Sequence, residues 1–138
     1  MLNKPLADTW TDEQVVGSTS RWIDAFVVQF EICPFAAVPF KKNRICYKVE
    51  RMSEPESCLE NLIAACLELD QEPAIETTLL IYPAAFVDFE DYLTFLDLAN
   101  QLLHLQAYEG IYQLASFHPH YCFEGVEKDD ASNYTNRS

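Results

Sequence analysis

In residues 12–32, apolar side chains recur every three to four positions, which is the period of a helix that buries one face. Thr11 and Gln14 fit a capping box, in which each side chain bonds to a backbone N–H at the helix start. Cys33 precedes Pro34 and is therefore pushed out of the helical region. The pattern predicts a first helix from Asp12 to Ile32.

Two more helices are predicted from the same kind of pattern. Ser53 and Glu56 fit a second capping box, with a proline tolerated in the first turn, and the apolar stripe behind them ends near Gln71. Asp88 can cap a third helix, and Gly110 stands where helices often stop in a left-handed turn. Both helices carry their apolar residues on one face.

The stretches between these helices are typical of strands. Residues 44–50 are rich in β-branched and aromatic side chains, residues 77–82 suit a strand covered on both faces, and residues 111–117 predict a third strand. Crossover helices of this length favour parallel strands. We expect an α/β fold in which three helices alternate with three strands around a small mixed or parallel sheet. A ferredoxin-like α+β arrangement is the alternative.

Size and composition are those of one globular domain. A chain of 138 residues with 49% hydrophobic residues has enough apolar surface for one core, so residues 1–138 are predicted to form a single domain. The chain has three glycines. P-loops and dinucleotide fingerprints need closely spaced glycines, so neither is expected and no cofactor is predicted.

The net charge of −13 disfavours nucleic acids and anionic membranes as partners, because their phosphates are repelled. Most of the nine Lys and Arg residues lie between positions 41 and 51. This basic patch consists of Lys41, Lys42, Arg44, Lys48 and Arg51. Two interpretations stay open for it: an anion site that includes Arg44, or a solvated strand edge that discourages aggregation.

The first residues lack the apolar run of a signal peptide, and no stretch approaches the ~18 apolar residues of a membrane span. We therefore expect a cytoplasmic protein. Five cysteines without a C-x-x-C pair predict reduced thiols.

Polar residues that could bind a ligand or take part in catalysis are concentrated from His118 to Ser138. His118, His120 and Cys122 stand at alternate positions, so an extended backbone would direct them to one side. His118 and His120 would chelate a metal only with a distant third ligand, such as Cys33 or an acid. The alternative is a loop whose histidines hydrogen-bond the fold, and no metal site is predicted.

Cys33 itself has two interpretations. A thiol at the end of a helix meets the negative end of the helix dipole, which disfavours the thiolate, so a nucleophile here needs cations or a histidine nearby. The other interpretation is a structural cysteine.

Three short segments carry a resemblance when taken in this order and spacing. They are Ile-Cys-Pro-Phe-Ala at 32–36, Ser-Phe-His-Pro at 116–119 and Ser-Asn-Tyr-Thr-Asn-Arg-Ser at 132–138. Together they resemble a bacterial family known as domain of unknown function 1415, and the resemblance covers nearly the whole chain. The matching positions are Cys33, Pro34, Phe35, His118, Pro119, Tyr121, Phe123, Gly125, Asn133, Asn136 and Arg137.

The resemblance implies site residues but no activity. Family members usually carry other polar residues at the positions of His120 and Cys122, which weakens the two-histidine chelate. They also continue past the segment that ends at Ser138, so the resemblance implies a chain truncated at its carboxyl end.

These observations favour a ligand-binding or enzyme-like domain for a small anionic molecule. The anion would be held by Asn133, Asn136, Arg137 and Arg44, with His118 as acid or base and Cys33 nearby. One alternative is a non-catalytic module whose acidic helices engage a basic partner protein. The other is a metal-binding protein that uses His118 and His120.

Overall fold

The computed structural model of the chain describes residues 9–138, which divide into two compact units. The first unit extends to Ala85, and the second runs from Phe86 to Ser138. Helices and a small parallel sheet make this an α/β protein, which confirms the predicted fold class. The single domain stays a prediction, and each unit is described by itself.

The first unit contains a strand–helix–strand arrangement preceded by two helices. Its elements are α1 (Asp12–Trp22), continued by a π-helix (Ile23–Val28), then α2 (Ala37–Lys41), β1 (Ile45–Val49), α3 (Pro55–Gln71) and β2 (Thr77–Ile81). None of the helices in residues 9–138 is both long enough and apolar enough to cross a membrane.

β1 and β2 form a parallel pair, with Ile45 opposite Thr77 and Val49 opposite Ile81. A parallel pair needs a long connection that returns the chain to the same end, and the seventeen-residue α3 supplies it. The core of this unit comes from one face of α1, its π-helical continuation and one face of α3. Its buried side chains include Val15, Ile23, Val27, Cys58, Leu62, Ala65 and Cys66.

The start of α1 follows the sequence prediction and its end does not. The Gln14 N–H donates to Thr11 Oγ1 at 3.2 Å, and the Thr11 N–H donates to Gln14 Oε1 at 2.8 Å. The predicted capping box is therefore confirmed. Regular helix stops at Val28 rather than Ile32, because Glu31 adopts a left-handed φ of 52° that a helix cannot contain.

The predicted start of α3 is wrong by one residue. Glu54 rather than Ser53 is the cap residue, and no side chain caps this helix. The reason is Pro55, since a residue before proline is held in the extended region, and Glu54 has φ −73° and ψ 128°. The end of the helix at Gln71 is confirmed.

Residues 37–41, which the sequence suggests are loop, form the short helix α2. Pro39 lies in its first turn, where a missing N–H costs nothing because those N–H groups have no helical partner.

The second unit begins with a long helix. This helix, α4, spans Phe89–Leu105, and the Glu90 N–H donates to Asp88 Oδ1 at 2.8 Å, which confirms the predicted cap. The helix stops at Leu105, before the predicted Gly110. Ala107 with φ 61° takes the left-handed position first, and Gly110 with φ 78° serves the next turn.

The predicted third strand over residues 111–117 is wrong, because this segment is irregular. Its backbone groups bond to partners outside any strand. The Phe117 N–H donates to the Tyr92 hydroxyl at 3.2 Å, and the Ser116 carbonyl accepts from Asn136 Nδ2 at 2.9 Å. The strand propensity of this segment does not decide its structure, because side chains bond to backbone groups that would otherwise pair with a neighbouring strand.

The remainder of the second unit consists of loops and one short 3-10 helix. A 3-10 helix spans Ala131–Asn136, and Asp130 caps it by accepting from the backbone N–H and the hydroxyl of Ser132. These two hydrogen bonds lower the pKa of the Asp130 carboxyl. Among the described residues, regular structure therefore ends here without a sheet in this unit.

Gly17 stands within α1 on the side opposite Val15. A β-carbon built at Gly17 would lie 3.4 Å from Arg21 Nη1, which is ordinary contact with the end of a flexible side chain. No backbone strain and no tight packing in the described residues thus requires glycine here.

We expect Gly17→Ala to stabilise the protein by about 1 kcal/mol, because glycine inside a helix costs about that much relative to alanine. Urea unfolding monitored by circular dichroism measures the change. Ser18→Ala, one residue further along the same helix, is the matched control. A destabilised Gly17→Ala variant would mean that the glycine has a packing role.

Candidate functional site

The predicted site residues belong to both units. Cys33 and Arg44 lie in the first unit, and His118, Asn133, Asn136 and Arg137 lie in the second. The approach of Cys33 to the others stays a prediction.

His118 is buried, with 5% of its surface exposed, and both of its ring nitrogens bond to the backbone. Nε2 lies 2.7 Å from the carbonyl oxygen of Phe86, and the His120 N–H donates to Nδ1 at 3.0 Å. A carbonyl accepts only and a backbone N–H donates only. The ring is therefore the neutral tautomer with its proton on Nε2.

The rings around His118 hold it in this orientation. Its ring centroid is 5.3 Å from those of Phe89 and Tyr92, both on α4. Burial raises the pKa of Tyr92, whose hydroxyl also accepts the Phe117 N–H. With both nitrogens engaged, His118 reaches a substrate only by releasing a backbone group, so the geometry favours positioning over acid–base chemistry.

The carbonyl that accepts from His118 belongs to a residue with unusual backbone geometry. Phe86 has φ 57°, a left-handed conformation that is uncommon for a bulky residue and costs about 1 to 3 kcal/mol. Its ring stacks on Phe95 with centroids 4.5 Å apart. The hydrogen bond and the stacking together offset the cost of this conformation.

Asn133 is completely buried and uses both ends of its amide. Oδ1 accepts from the Phe123 N–H at 2.8 Å, and Nδ2 donates to the carbonyls of Glu127 at 2.8 Å and Lys128 at 3.3 Å. Asn133 thus ties together a loop that has no secondary structure of its own. Both ends of this amide are therefore held by the backbone, and the side chain has no exposed surface at which a ligand could meet it.

Asn136 secures the same region from the other side. Its Nδ2 donates to the Ser116 carbonyl, and its own carbonyl accepts from the His118 N–H at 3.0 Å. The Thr135 hydroxyl donates to Asn136 Oδ1 at 2.7 Å. The two asparagines are therefore braces for residues 116–128 in this structure.

Arg137 is half-buried and differs from the asparagines in having donors to spare. Nε donates to the Tyr121 carbonyl at 2.9 Å, and Nη2 donates to the Lys128 carbonyl at 2.8 Å. The guanidinium lies 4.7 Å from the centroid of the Tyr134 ring. Nη1 has no hydrogen-bond partner among the residues that the structure describes.

The two-histidine metal hypothesis finds no support in the geometry. His120 is exposed, while both nitrogens of His118 are occupied. Cys122 donates its thiol proton to the Val126 carbonyl at 3.3 Å. Within residues 9–138, no group of three or more His, Cys, Asp or Glu side chains is placed to hold a metal ion.

Most of the basic patch is paired with carboxylates. Arg44 lies 2.7 Å from Glu76, Lys48 2.6 Å from Glu68, and Arg51 2.9 Å from Asp12. The hydrogen bond to Glu68 raises the pKa of Lys48. These pairs link strand β1 and its flanks to neighbouring elements, and an anion at Arg44 would compete with Glu76.

Cys33 is exposed in the loop between α1 and α2, next to Phe35, which is 83% exposed. Cys58 and Cys66, on the inner face of α3, are buried. Burial raises the pKa of the Cys58 thiol to about 11, and the nearby Glu50 and Glu54 carboxylates add to the shift. The five thiols are free and differ widely in exposure.

A family model described as "Protein of unknown function (DUF1415)" matches residues 14–138, which is nearly the whole chain. The chain belongs to this family. No curated protein matches the chain. No solved structure matches it either. Membership in DUF1415 confirms the resemblance and adds no activity, so the function of the site rests on its geometry.

The contribution of Phe86 and Tyr92 to the His118 environment was missed by sequence reasoning. Tyr92 fits the apolar face of α4, Phe86 fits an apolar position just before that helix, and the sequence carries no signal that links either to residues 117 and 118. Only the folded chain brings these groups together.

We expect His118→Ala to destabilise the protein by about 3 kcal/mol, because it removes a buried side chain and leaves the Phe86 carbonyl and the His120 N–H without their partner. His118→Gln can keep a donor near the Phe86 carbonyl and His118→Asn an acceptor for the His120 N–H, so each costs less. Urea unfolding of the three variants measures this. An Ala variant as stable as the parent would refute the positioning role.

We expect iodoacetamide to alkylate Cys33 first and Cys58 and Cys66 last in the folded protein. The thiolate is the reacting form, and burial both shields Cys58 and raises its pKa. Mass spectrometry of peptides over time measures each rate, and the same reaction in denaturant removes the differences. Equal rates for Cys33 and Cys58 in the folded state would contradict the described burial.

Proposed function

We propose that the carboxyl-terminal unit of this DUF1415 protein binds a small anion, a carboxylate or a phosphate, through Arg137. The observation that supports this is the way its guanidinium is held. Two backbone carbonyls and the Tyr134 ring orient it, while Nη1 stays without a partner in residues 9–138.

Preorganisation makes this cation better suited to binding than a mobile surface arginine. Fixing an arginine side chain costs up to about 2 kcal/mol of rotamer entropy, and here that cost is met on folding. A planar guanidinium also matches the oxygens of carboxylate and phosphate. Arg137 therefore offers an anion an oriented donor with its full charge.

The other candidate residues of this unit serve the proposal by holding the loop that carries the two carbonyls. Asn133 bonds to the carbonyl of Lys128, and the neighbour of Tyr121, His120, bonds to His118. The proposal is one of binding. Catalysis by His118 would require breaking one of its backbone hydrogen bonds.

We expect phosphate or succinate, titrated at constant ionic strength, to shift the Arg137 Nε–H signal in NMR spectra of the unmodified protein. Arg137→Gln should weaken binding at least about tenfold, since a hydrogen bond to a charged group contributes roughly 1.5 to 3 kcal/mol. Lys128→Gln is the matched control, because it removes the other Lys or Arg charge of this unit without touching the guanidinium.

An unshifted Arg137 signal in the unmodified protein would refute the proposal without reference to any variant. Equal affinity of the parent and a folded Arg137→Gln variant would also refute it. A loss of affinity in Lys128→Gln as large as in Arg137→Gln would indicate general charge attraction instead of the proposed site.

A further inference from the structure

Exposed apolar side chains are concentrated in the segment between the π-helix and β1. We name residues 30–42, which include α2, the Phe35 loop. Phe30 is 67% exposed, Phe35 83% and Val38 55%. The ring of Phe35 has no aromatic partner among the residues that the structure describes. Single exposed apolar residues are common on protein surfaces, whereas a cluster of large ones is typical of an interaction surface.

The backbone of this loop is held in place although its side chains are exposed. The Ile32 N–H donates to the Val27 carbonyl at 3.0 Å, and the Ala36 N–H donates to the Cys33 carbonyl at 3.3 Å. Glu31, with φ 52°, turns the chain out of the preceding π-helix. The loop therefore presents its apolar side chains from an ordered backbone, which lowers the entropy cost of binding.

The two lysines of the basic patch that lack a carboxylate partner lie at the end of the same loop. Lys41 and Lys42 are exposed, and neither side chain has a partner among residues 9–138. Helix positions three and four residues apart share a face, so Val38, Lys41 and Lys42 lie on one face of α2. That face combines an apolar side chain with two free ammonium groups, and Phe35 comes three positions before it.

A lipid surface fits these side chains better than a protein does. Phe35 contacts little of its own chain, so it protrudes and does not line a groove in which a peptide could lie. A second copy of the chain would bring the lysines of two loops together, and like charges repel. An anionic bilayer offers phosphates to the lysines and an apolar layer to Phe35.

The net charge of −13 opposes binding to an anionic surface, but salt screens this repulsion over about 8 Å. The charges nearest to the lipid therefore contribute most. Within residues 29–43 the charged side chains are Glu31, Lys41 and Lys42, so this segment is positive in a strongly acidic chain.

We propose that the Phe35 loop docks the protein reversibly on an anionic lipid surface. Phe35 and Val38 enter the interfacial layer, and Lys41 and Lys42 pair with lipid phosphates. The binding is weak, because one short loop buries little apolar area and carries two lysines. This inference is independent of Arg137 and of the function proposed for the other unit.

The probe is sucrose-loaded vesicles of phosphatidylcholine with phosphatidylglycerol, and co-sedimentation gives the partition coefficient of the protein. The unmodified protein should co-sediment at millimolar lipid. It should bind at least about tenfold more weakly to vesicles of phosphatidylcholine alone, because these carry no net charge to attract the lysines. High salt should weaken the binding to the anionic vesicles.

Two variants test the two kinds of contact. Phe35→Ser should lower the partition coefficient about tenfold, because it removes the apolar side chain that is inserted. Lys42→Gln should lower it about fivefold. The matched controls are Leu105→Ser, which removes an apolar side chain that is 77% exposed in the other unit, and Lys128→Gln, which removes an exposed cation there. Both controls should bind like the parent, and circular dichroism checks that all four variants are folded.

The proposal is overturned if the unmodified protein does not co-sediment with the anionic vesicles at millimolar lipid. It is also overturned if folded Phe35→Ser binds as strongly as the parent, or if Lys128→Gln loses as much binding as Lys42→Gln. A dimer that forms without vesicles and is dissociated by Phe35→Ser in sedimentation velocity would assign the loop to a second copy, which overturns the proposal as well.

Discussion

The buried amide of Asn133 is the interaction on which the carboxyl-terminal unit depends. It accepts from the Phe123 N–H and donates to the Glu127 and Lys128 carbonyls, so one side chain satisfies backbone groups on both sides of a loop. Backbone polar groups without a partner are costly away from water. These hydrogen bonds stabilise one conformation of a segment that has neither helix nor strand.

Hydrogen bonds from side chains to backbone groups recur across this unit, and they explain how it forms with one long helix and no strand. Asn136 holds the Ser116 carbonyl, and His118 bridges Phe86 and His120. Side chains thus take the place of a sheet ladder. A consequence is rigidity at Arg137, whose anchoring carbonyls belong to the braced loop.

The four arginines divide into two groups by what they face. Arg44 and Arg51 form ion pairs with carboxylates and act as links between elements of the first unit. Arg21 and Arg137 have no carboxylate partner in the part of the chain described, although the protein carries a net charge of −13. Arg137 also lies beside an aromatic ring, since its guanidinium is 4.7 Å from the centroid of the Tyr134 ring.

Local signals in the sequence were sufficient for part of the fold. The capping residues Thr11 and Asp88 mark helix starts, and the α/β class follows from the order of periodic and continuously apolar segments. These features depend on neighbours a few residues apart. At the start of α3 two local rules competed. Ser53 favoured a capping box, whereas Pro55 holds the residue before it in an extended conformation, and the helix begins as the proline requires.

The sequence by itself singled out His118, Asn133, Asn136 and Arg137 in the last segment, and each of them makes specific polar contacts with the backbone in the structure. Their roles were decided only by the tertiary structure. A histidine or an asparagine has the same hydrogen-bonding groups whether it meets a ligand or a backbone carbonyl. Only the folded chain determines which partner lies within 3 Å, because the residues that supply the partners are as far apart in sequence as Phe86 and His118.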